Sequence, residues 1–406
     1  MIKLSEQEMK LKIIKPVSLY IHIPFCRRRC NYCDFNTFAN METFIPDYVR
    51  VLREELRGAG SAISENEYIH SIYFGGGTPS VLSGKDFEDI MTEVRADFTL
   101  FPITEISMEV NPGTVSPDFL QEIFHLGVNR LSIGMQSSNP EELRTLGRIH
   151  DPFDVINSIK WARIAGFTNI SLDLMFGLPG QTLKSWQNTI EFALRLKPTH
   201  ISLYSLTIEE KTPFAKWQFK GLLSGAEEDL SADMYEYAMT SLPKVGFLQY
   251  EISNWAKKGG DKSDFLCHHN LQYWLNQPYL GIGAGAHSYF NHQRWENINT
   301  IPGYIEAKKK FGNQKKFFAQ INSQELDQKT EMQETMFMGL RLVQQGVSNN
   351  EFQERFGKSI LDVFSKEVDE LLRFGLLEWV GENNGNIRLT QRGILMGNQV
   401  FMHFVD

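Results

Sequence analysis

Between Val17 and Ser205, short apolar runs recur about every 30 residues, each followed by a stretch with hydrophobic residues at helical spacing. The runs Val17–Ile23, Ile69–Phe74, Glu105–Val110, Asn129–Gly134, Asn169–Met175 and Thr199–Ser205 predict strands. Pro46–Leu56, Lys85–Ala96, Pro117–Leu126, Pro152–Ala165 and Leu183–Leu196 predict the helices between them. Strands alternating with helices in this way build parallel β/α units. Six units rather than eight favour an α/β fold with a partly open barrel, with a doubly wound sheet as the second choice.

The polar and glycine-rich residues gather where these strands end. A cysteine loop follows the first, and Gly75-Gly76-Gly77-Thr78-Pro79 follows the second. Glu109-Val110-Asn111-Pro112-Gly113 closes the third, and Gly134-Met135-Gln136-Ser137 the fourth. Asp173 and Gly177-Leu178-Pro179-Gly180 close the fifth, and Tyr204–Thr207 the sixth. Parallel β/α barrels carry their sites at the C-terminal strand ends, so these loops describe one site.

After about residue 210 the rhythm breaks. A polar loop, Ala256–Phe265, leads into Cys267–Trp274 and then the glycine-rich Tyr279–His287. From Gln324 a second unit reads as helices Lys329–Leu342, Asn349–Phe356 and Ile360–Phe374, then strands Leu377–Val380 and Ile387–Thr390 around the turn Gly381–Gly385. That order is winged-helix-like, α+β. The expected division is a core over 1–300, a linker over 301–323 and a small C-terminal domain over 324–406. Winged helices often bind DNA, but here the third helix sets Asp362, Glu367, Asp369 and Glu370 against Lys366 and Arg373, and the turn has no cation. With 41 basic against 49 acidic residues, net charge −8, no nucleic-acid partner is expected. No apolar run approaches the roughly 18 residues of a spanning helix, and Met1–Lys15 is charged with no signal-peptide core, so a cytoplasmic protein is expected.

Three of the four cysteines lie within eight residues, which points to metal rather than disulfides. Cys26-x3-Cys30-x2-Cys33 offers three thiolates to an iron–sulfur cluster and leaves one iron with an open coordination position. The competing reading is structural zinc, completed by His22 or Cys267. Tyr32 and Phe35 flank the loop, placed to shield a cluster or stack on an adenine. The glycine run Gly75–Gly77 suits close backbone approach to a ligand, with N–H groups meeting a carboxylate. Glu109, Gln136, Arg148 and Asp173 add partners for an amino-acid moiety, and Asp173 suits a ribose diol.

The stretch SLYIHIPFCRRRCNYCDF, with GGGTPS, EVNPGT, LSIGMQS and LDLMFGLPGQT, resembles the radical S-adenosylmethionine superfamily, in its coproporphyrinogen-dehydrogenase-like branch, from about Val17 to the C-terminus. The resemblance implies Cys26, Cys30 and Cys33 as ligands of a 4Fe–4S cluster. It implies Tyr20, Gly76, Gly77, Thr78, Glu109, Gln136, Arg148 and Asp173 as contacts of S-adenosylmethionine. Two departures separate the chain from oxygen-independent coproporphyrinogen oxidases. Their further cysteine, two positions past the third ligand, is replaced by Phe35, and where they carry a longer N-terminal extension the sequence here has only about 20 residues ahead of the motif. Both features, with His269-Asn270-Leu271-Gln272-Tyr273-Trp274 as HNxxYW and the following GIGAGAHS, are similar to the HemW haem-chaperone family. That resemblance implies a protein that binds haem as cargo and passes it to client haemoproteins, with a flavodoxin- or ferredoxin-type reductant. Decarboxylation of a porphyrinogen is the alternative, a regulatory protein acting through the C-terminal unit is a third reading, and a homodimer is left open. Cys267, His268 and His269 are candidate axial ligands, and Tyr273 and Trp274 candidate covers for a porphyrin face. The plainer reading has those aromatics in the core and His269 capping a turn. His287 reads equally as a pocket residue or a packed loop histidine.

Overall fold

The computed structural model describes residues 15–225, 227–259, 265–312, 315–382 and 385–405. The leader reading of residues 1–14, part of the polar loop (260–264) and part of the C-terminal turn (383–384) lie outside the described residues.

Six β/α units build the core. The strands are β1 (Lys15–Ile23), β2 (Glu67–Gly76), β3 (Leu100–Val110), β4 (Arg130–Gln136), β5 (Asn169–Phe176) and β6 (His200–Ser205). The helices between them are α1 (Ile45–Gly60), α2 (Gly84–Asp97), α3 (Pro117–His125), α4 (Pro140–Leu146), α5 (Pro152–Ala165) and α6 (Leu183–Arg195). Local chemistry sets their starts. Ser83 and Asp86 form a capping box at α2, Asp151 and Asp154 form one at α5, and Pro117, Pro140 and Pro152 open their helices. Strand alternation sorts the faces: Val17, Leu19, Ile21 and Ile23 are fully buried against the helices, while Ser18, Tyr20 and His22 take the opposite face of β1.

The chain continues through α7 (Pro213–Phe219), α8 (Glu228–Ser241), β7 (Phe247–Glu251), β8 (Asn254–Lys257), α9 (His268–Trp274), β9 (Tyr279–Ile282), β10 (His287–Phe290), β11 (Gln293–Asn297), α10 (Ile301–Phe311) and β12 (Gln320–Glu325). All twelve strands share one sheet, in the order β12-β11-β10-β9-β1-β2-β3-β4-β5-β6-β8-β7. β1 to β6 are parallel neighbours in chain order, and β7 and β12 are edges, so the barrel is not closed.

Two features depart from the sequence pattern. β9 is a seventh parallel strand, pairing Ser18 with Tyr279 and Ile21 with Ile282. Its four residues and flanking glycines are too short a run to register as a strand by periodicity. The stretch 301–323, expected as a linker, instead holds α10, with Ile301, Tyr304 and Ile305 in the main core, and the start of β12. The lysine-rich end there hid a helix anchored through residues buried at helical spacing.

The C-terminal residues form α11 (Gln328–Gly339), β13 (Val347–Ser348), α12 (Asn349–Phe356), α13 (Ile360–Arg373), β14 (Leu377–Val380) and β15 (Asn386–Leu389), then α14 (Gln391–Leu395) and α15 (Gly397–Met402). A separate core, with Met336, Leu340, Phe352, Phe364, Leu371 and Phe404, holds them together.

Candidate cluster and cofactor site

After β1 the chain makes a tight loop, pinned where Phe25–Cys26 pairs with Phe38–Ala39. Cys26 is buried, and Cys30 and Cys33 are half-buried. All three thiols line one cavity of about 330 Å³ at the C-terminal ends of the strands, together with Gly76, Gly77, Thr78, Glu109, Gln136, Arg148 and Asp173. Among the described residues, no three His, Cys, Asp or Glu side chains converge closely enough to hold a single ion. The completing ligands that zinc would need are committed elsewhere. His22 meets the Tyr20 hydroxyl through Nδ1 at 3.0 Å and donates from Nε2 to the Asn36 carbonyl at 2.9 Å. Cys267 is fully buried, with its thiol 3.7 Å from Glu105. Three thiols around a shared void fit a multi-iron cluster.

Each thiol has a partner in this site. Thr78 Oγ1 donates to Cys26 Sγ at 3.6 Å, Thr37 Oγ1 lies 3.9 Å from Cys33 Sγ, and Arg148 Nη1 lies 3.5 Å from Cys30 Sγ. Burial raises the Cys26 and Cys33 thiols above the ordinary range. Arg148 is itself fixed, with Nη2 donating to Asn111 Oδ1 and the Gly134 carbonyl, both at 2.6 Å. Asn111 in turn donates to Thr78 at 2.7 Å. A side chain at Gly134 would put its Cβ 2.7 Å from that Arg148 nitrogen, so glycine is needed there.

The glycine run does a different job from the one its composition suggests. Gly76 N–H donates to Glu109 Oε2 at 3.2 Å, Gly77 N–H to the Ile23 carbonyl at 2.8 Å, and Thr78 N–H to the Phe25 carbonyl at 2.8 Å. These donors are spent on tying the run to the cysteine loop and to Glu109, so they do not form an anion cradle. Gly76 has φ +109°, and a Cβ there would strike the His22 ring. Gln136 adopts φ +63°, a conformation that costs a residue with a side chain about 1–3 kcal/mol and collects at functional sites.

Two carboxylates carry the site's negative charge. Glu109 accepts from Tyr73 at 3.1 Å, and its pKa is pushed up to about 7 by desolvation and then by the charge of Asp173. Asp173 takes Ser132 Oγ at 2.9 Å on both oxygens, and burial raises it too. Beneath them Arg130, 1% exposed, donates to Ser107 at 3.5 Å and faces Glu105 and Cys267. Asn111, Ser132, Tyr73 and Arg130 were not singled out as site residues. Asn111 and Ser132 stand inside the strings EVNPGT and LSIGMQS, where the signal lay. Tyr20 is not brought to this cavity. It lines a neighbouring one of about 440 Å³, with His22, Tyr273, Tyr279 and His287, which shares Phe35, Gly76 and Glu109 with the first.

The family pattern for the radical SAM superfamily matches residues 20–193, and that for the HemN C-terminal domain matches residues 326–396. The chain is 38% identical to the heme chaperone HemW of Bacillus subtilis over 96% of its own length and 99% of that protein. It is 37% identical to HemW of Lactococcus lactis, over 96% and 98% of the two chains. The chain belongs to the HemW family. Its fold matches the coproporphyrinogen III oxidase HemN of Escherichia coli with a TM-score of 0.81, over 99% of this chain and 93% of that one, at 23% identity. It is thus a radical SAM, haem-related protein, and that superfamily implies a 4Fe–4S cluster and S-adenosylmethionine.

The family's HNxxYW segment is not an open haem face. As α9 it plugs the N-terminal end of the barrel, where Gln272 donates to the Pro16 carbonyl at 3.2 Å and meets His70 at 2.8 Å. His269 is 1% exposed and uses both ring nitrogens, Nδ1 with Ser71 and Nε2 with Tyr273, each at 3.0 Å. Burial, then the charges of His70 and Arg130, push its pKa down to about 3. Cys267 is sealed beside it, His268 is exposed elsewhere, and Trp274 lies under Arg341, 4.9 Å from the ring centroid. Of the five haem candidates Tyr273 alone lines either of the two cavities described here, and the engaged, buried Cys267 and His269 have a structural role rather than an open ligand position.

Proposed function

We propose that this chain is a haem chaperone that binds haem and delivers it to client haemoproteins, carrying a 4Fe–4S cluster on Cys26, Cys30 and Cys33 with S-adenosylmethionine beside it. The convergence of three cysteines, two half-buried carboxylates and a fixed arginine on one cavity, in a chain related to HemW over nearly its whole length, supports this reading. When bound, the cluster supplies one-electron reducing chemistry toward the cofactor's sulfonium.

The chain's own residues bind and orient. Cys26, Cys30 and Cys33 would hold the cluster, with the amino-acid end of the cofactor beside it. Arg148 offers the carboxylate a guanidinium while steadying Cys30. Glu109 takes the ammonium, and Asp173, aligned by Ser132, takes the ribose hydroxyls. Gly76, Gly77, Thr78 and Gln136 form the wall against which the cofactor lies. The reductant is a flavodoxin- or ferredoxin-type protein.

The test is anaerobic reconstitution followed by haem titration and mixing with an apo-haemoprotein. The expected result is saturable binding near one haem per chain, and haem appearing in the acceptor. Conversion of coproporphyrinogen with loss of carbon dioxide, and no haem transfer, would refute the proposal.

A further inference from the structure

The cavity beside the cluster loop shares Phe35, Gly76 and Glu109 with the cofactor cavity, and the proposed cluster and S-adenosylmethionine sites leave its outer part, around Tyr273, Tyr279 and His287, unassigned. Its volume is about 440 Å³, and its walls are aromatic: Tyr20, Tyr273, Tyr279 and Phe35. Tyr273 and Tyr279 hold each other edge to face at 4.6 Å, so that wall is pre-shaped. Phe35 is 65% exposed, on the rim that this cavity shares with the cluster site. A phenyl ring left in water beside an aromatic cleft gains by covering a flat apolar ligand.

Two imidazoles line the cavity, and they differ. His22 has both ring nitrogens engaged, as described, and burial holds its pKa down to about 4. His287 opens β10 at the mouth, with its side chain 61% exposed and the Glu296 carboxylate 3.6 Å from Nε2. The carboxylate is near that nitrogen but beyond hydrogen-bond length, a neighbour able to orient a metal-binding imidazole once it shifts closer. Arg29, which lines the adjoining cluster cavity, donates to the Phe35 carbonyl at 3.3 Å across the shared rim, and Arg27 and Arg28 are exposed beside it, in a chain whose net charge is −8. A flat ring with an imidazole-seeking metal and carboxylate arms matches this set: aromatic walls, one accessible histidine and a guanidinium edge.

We propose that this cavity seats haem, with His287 as an axial ligand to its iron, Phe35 against the macrocycle and Arg29 toward a propionate. The inference rests on the haem-binding reading above and assigns the site within it. A ligand histidine at the mouth, rather than in the core, keeps the iron within reach of an accepting protein.

The experiment titrates haemin into the full chain with its cluster reconstituted, in wild type, His287→Ala and Phe35→Ser. Cluster iron and the thermal midpoint are measured in each, to show that the exposed substitutions leave the fold intact. His287→Ala should weaken binding about tenfold or more and change the Soret and spin-state signature, the fold-change expected for losing one strong ligand. Added imidazole should restore the wild-type spectrum in that variant. Phe35→Ser should weaken binding without changing the ligation signature. If wild type binds haem and both variants bind it equally, with unchanged spectra, the assigned cavity is wrong and the chaperone reading stands. If wild type binds no haem, the chaperone reading fails and this inference with it.

Discussion

In the proposed cofactor site Asp173 and Glu109 carry the negative charge, and both are costly where they stand. Burial raises each, and two carboxylates that feel one another resist being charged together. Asp173 is aligned by Ser132. Replacing it with asparagine keeps the shape and removes the charge, so S-adenosylmethionine should bind about tenfold more weakly by calorimetry, the loss of one charge-assisted hydrogen bond. Glu109 has its pKa near 7, and only its charged form attracts an ammonium. Cofactor affinity should therefore fall as pH drops through about 7 in wild type. Glu109→Gln should be weak throughout and flat with pH. A wild-type affinity independent of pH between 6 and 8 would contradict the assignment.

At the scale of elements, two buried glutamates tie distant segments together. Glu55 on α1 accepts from Gly283 N–H at 2.9 Å, Asn297 at 2.7 Å and Tyr304 at 2.5 Å, joining α1 to the loop after β9, to β11 and to α10. Burial pushes its pKa up to about 7, above the unfolded value. Between those two values the native state holds a proton that the unfolded chain has released, so folding stability falls as pH rises through that window. Below it the effect vanishes. From about pH 5 to 7 wild type should lose on the order of 2 kcal/mol from this group, and Glu55→Gln should flatten that slope in urea melts. Glu105 on β3 plays a capping part, accepting from the N–H groups of His268 and His269 at 3.0 and 3.3 Å, so that it starts the seven-residue α9. Glu105→Ala should cost about 1–3 kcal/mol in the same melts, through the lost cap and the stranded donors.

Over the whole molecule, the C-terminal unit is bolted to the core, not tethered to it. Arg294 makes a two-pronged bond to Glu334, one prong at 2.9 Å, and Ile252 N–H donates to the Arg341 carbonyl at 3.1 Å. The Arg341 guanidinium lies between the rings of Trp274 and Phe401, 4.9 and 5.0 Å from their centroids. One end of this joint is α9, the plug of the barrel, so the unit's attachment and the barrel floor are mechanically linked. Arg341→Ala removes a sandwiched cation and its packing. It should lower the calorimetric midpoint and separate one unfolding transition into two, the C-terminal unit melting first. No helix among the described residues is long and apolar enough to cross a membrane.

Read alone, the sequence determined the six-unit rhythm, because apolar alternation and helix-start residues are local properties. It also determined the cluster loop, because Cys26, Cys30 and Cys33 are neighbours along the chain. The family strings hold most of the residues of the proposed cofactor site, Asn111 and Ser132 among them. Tertiary structure alone decided what lies beyond local reach. It made β9 a seventh parallel strand, turned 301–323 from linker into α10 and part of β12, and consumed the N–H groups of Gly76 and Gly77 in tying loops together. It also sent His269 into the barrel floor and left His287 at a cavity mouth. Residue type announces that an imidazole can bind iron. Whether its nitrogens are already engaged depends on partners such as Ser71, 198 positions away in the chain, and only the folded molecule brings them together.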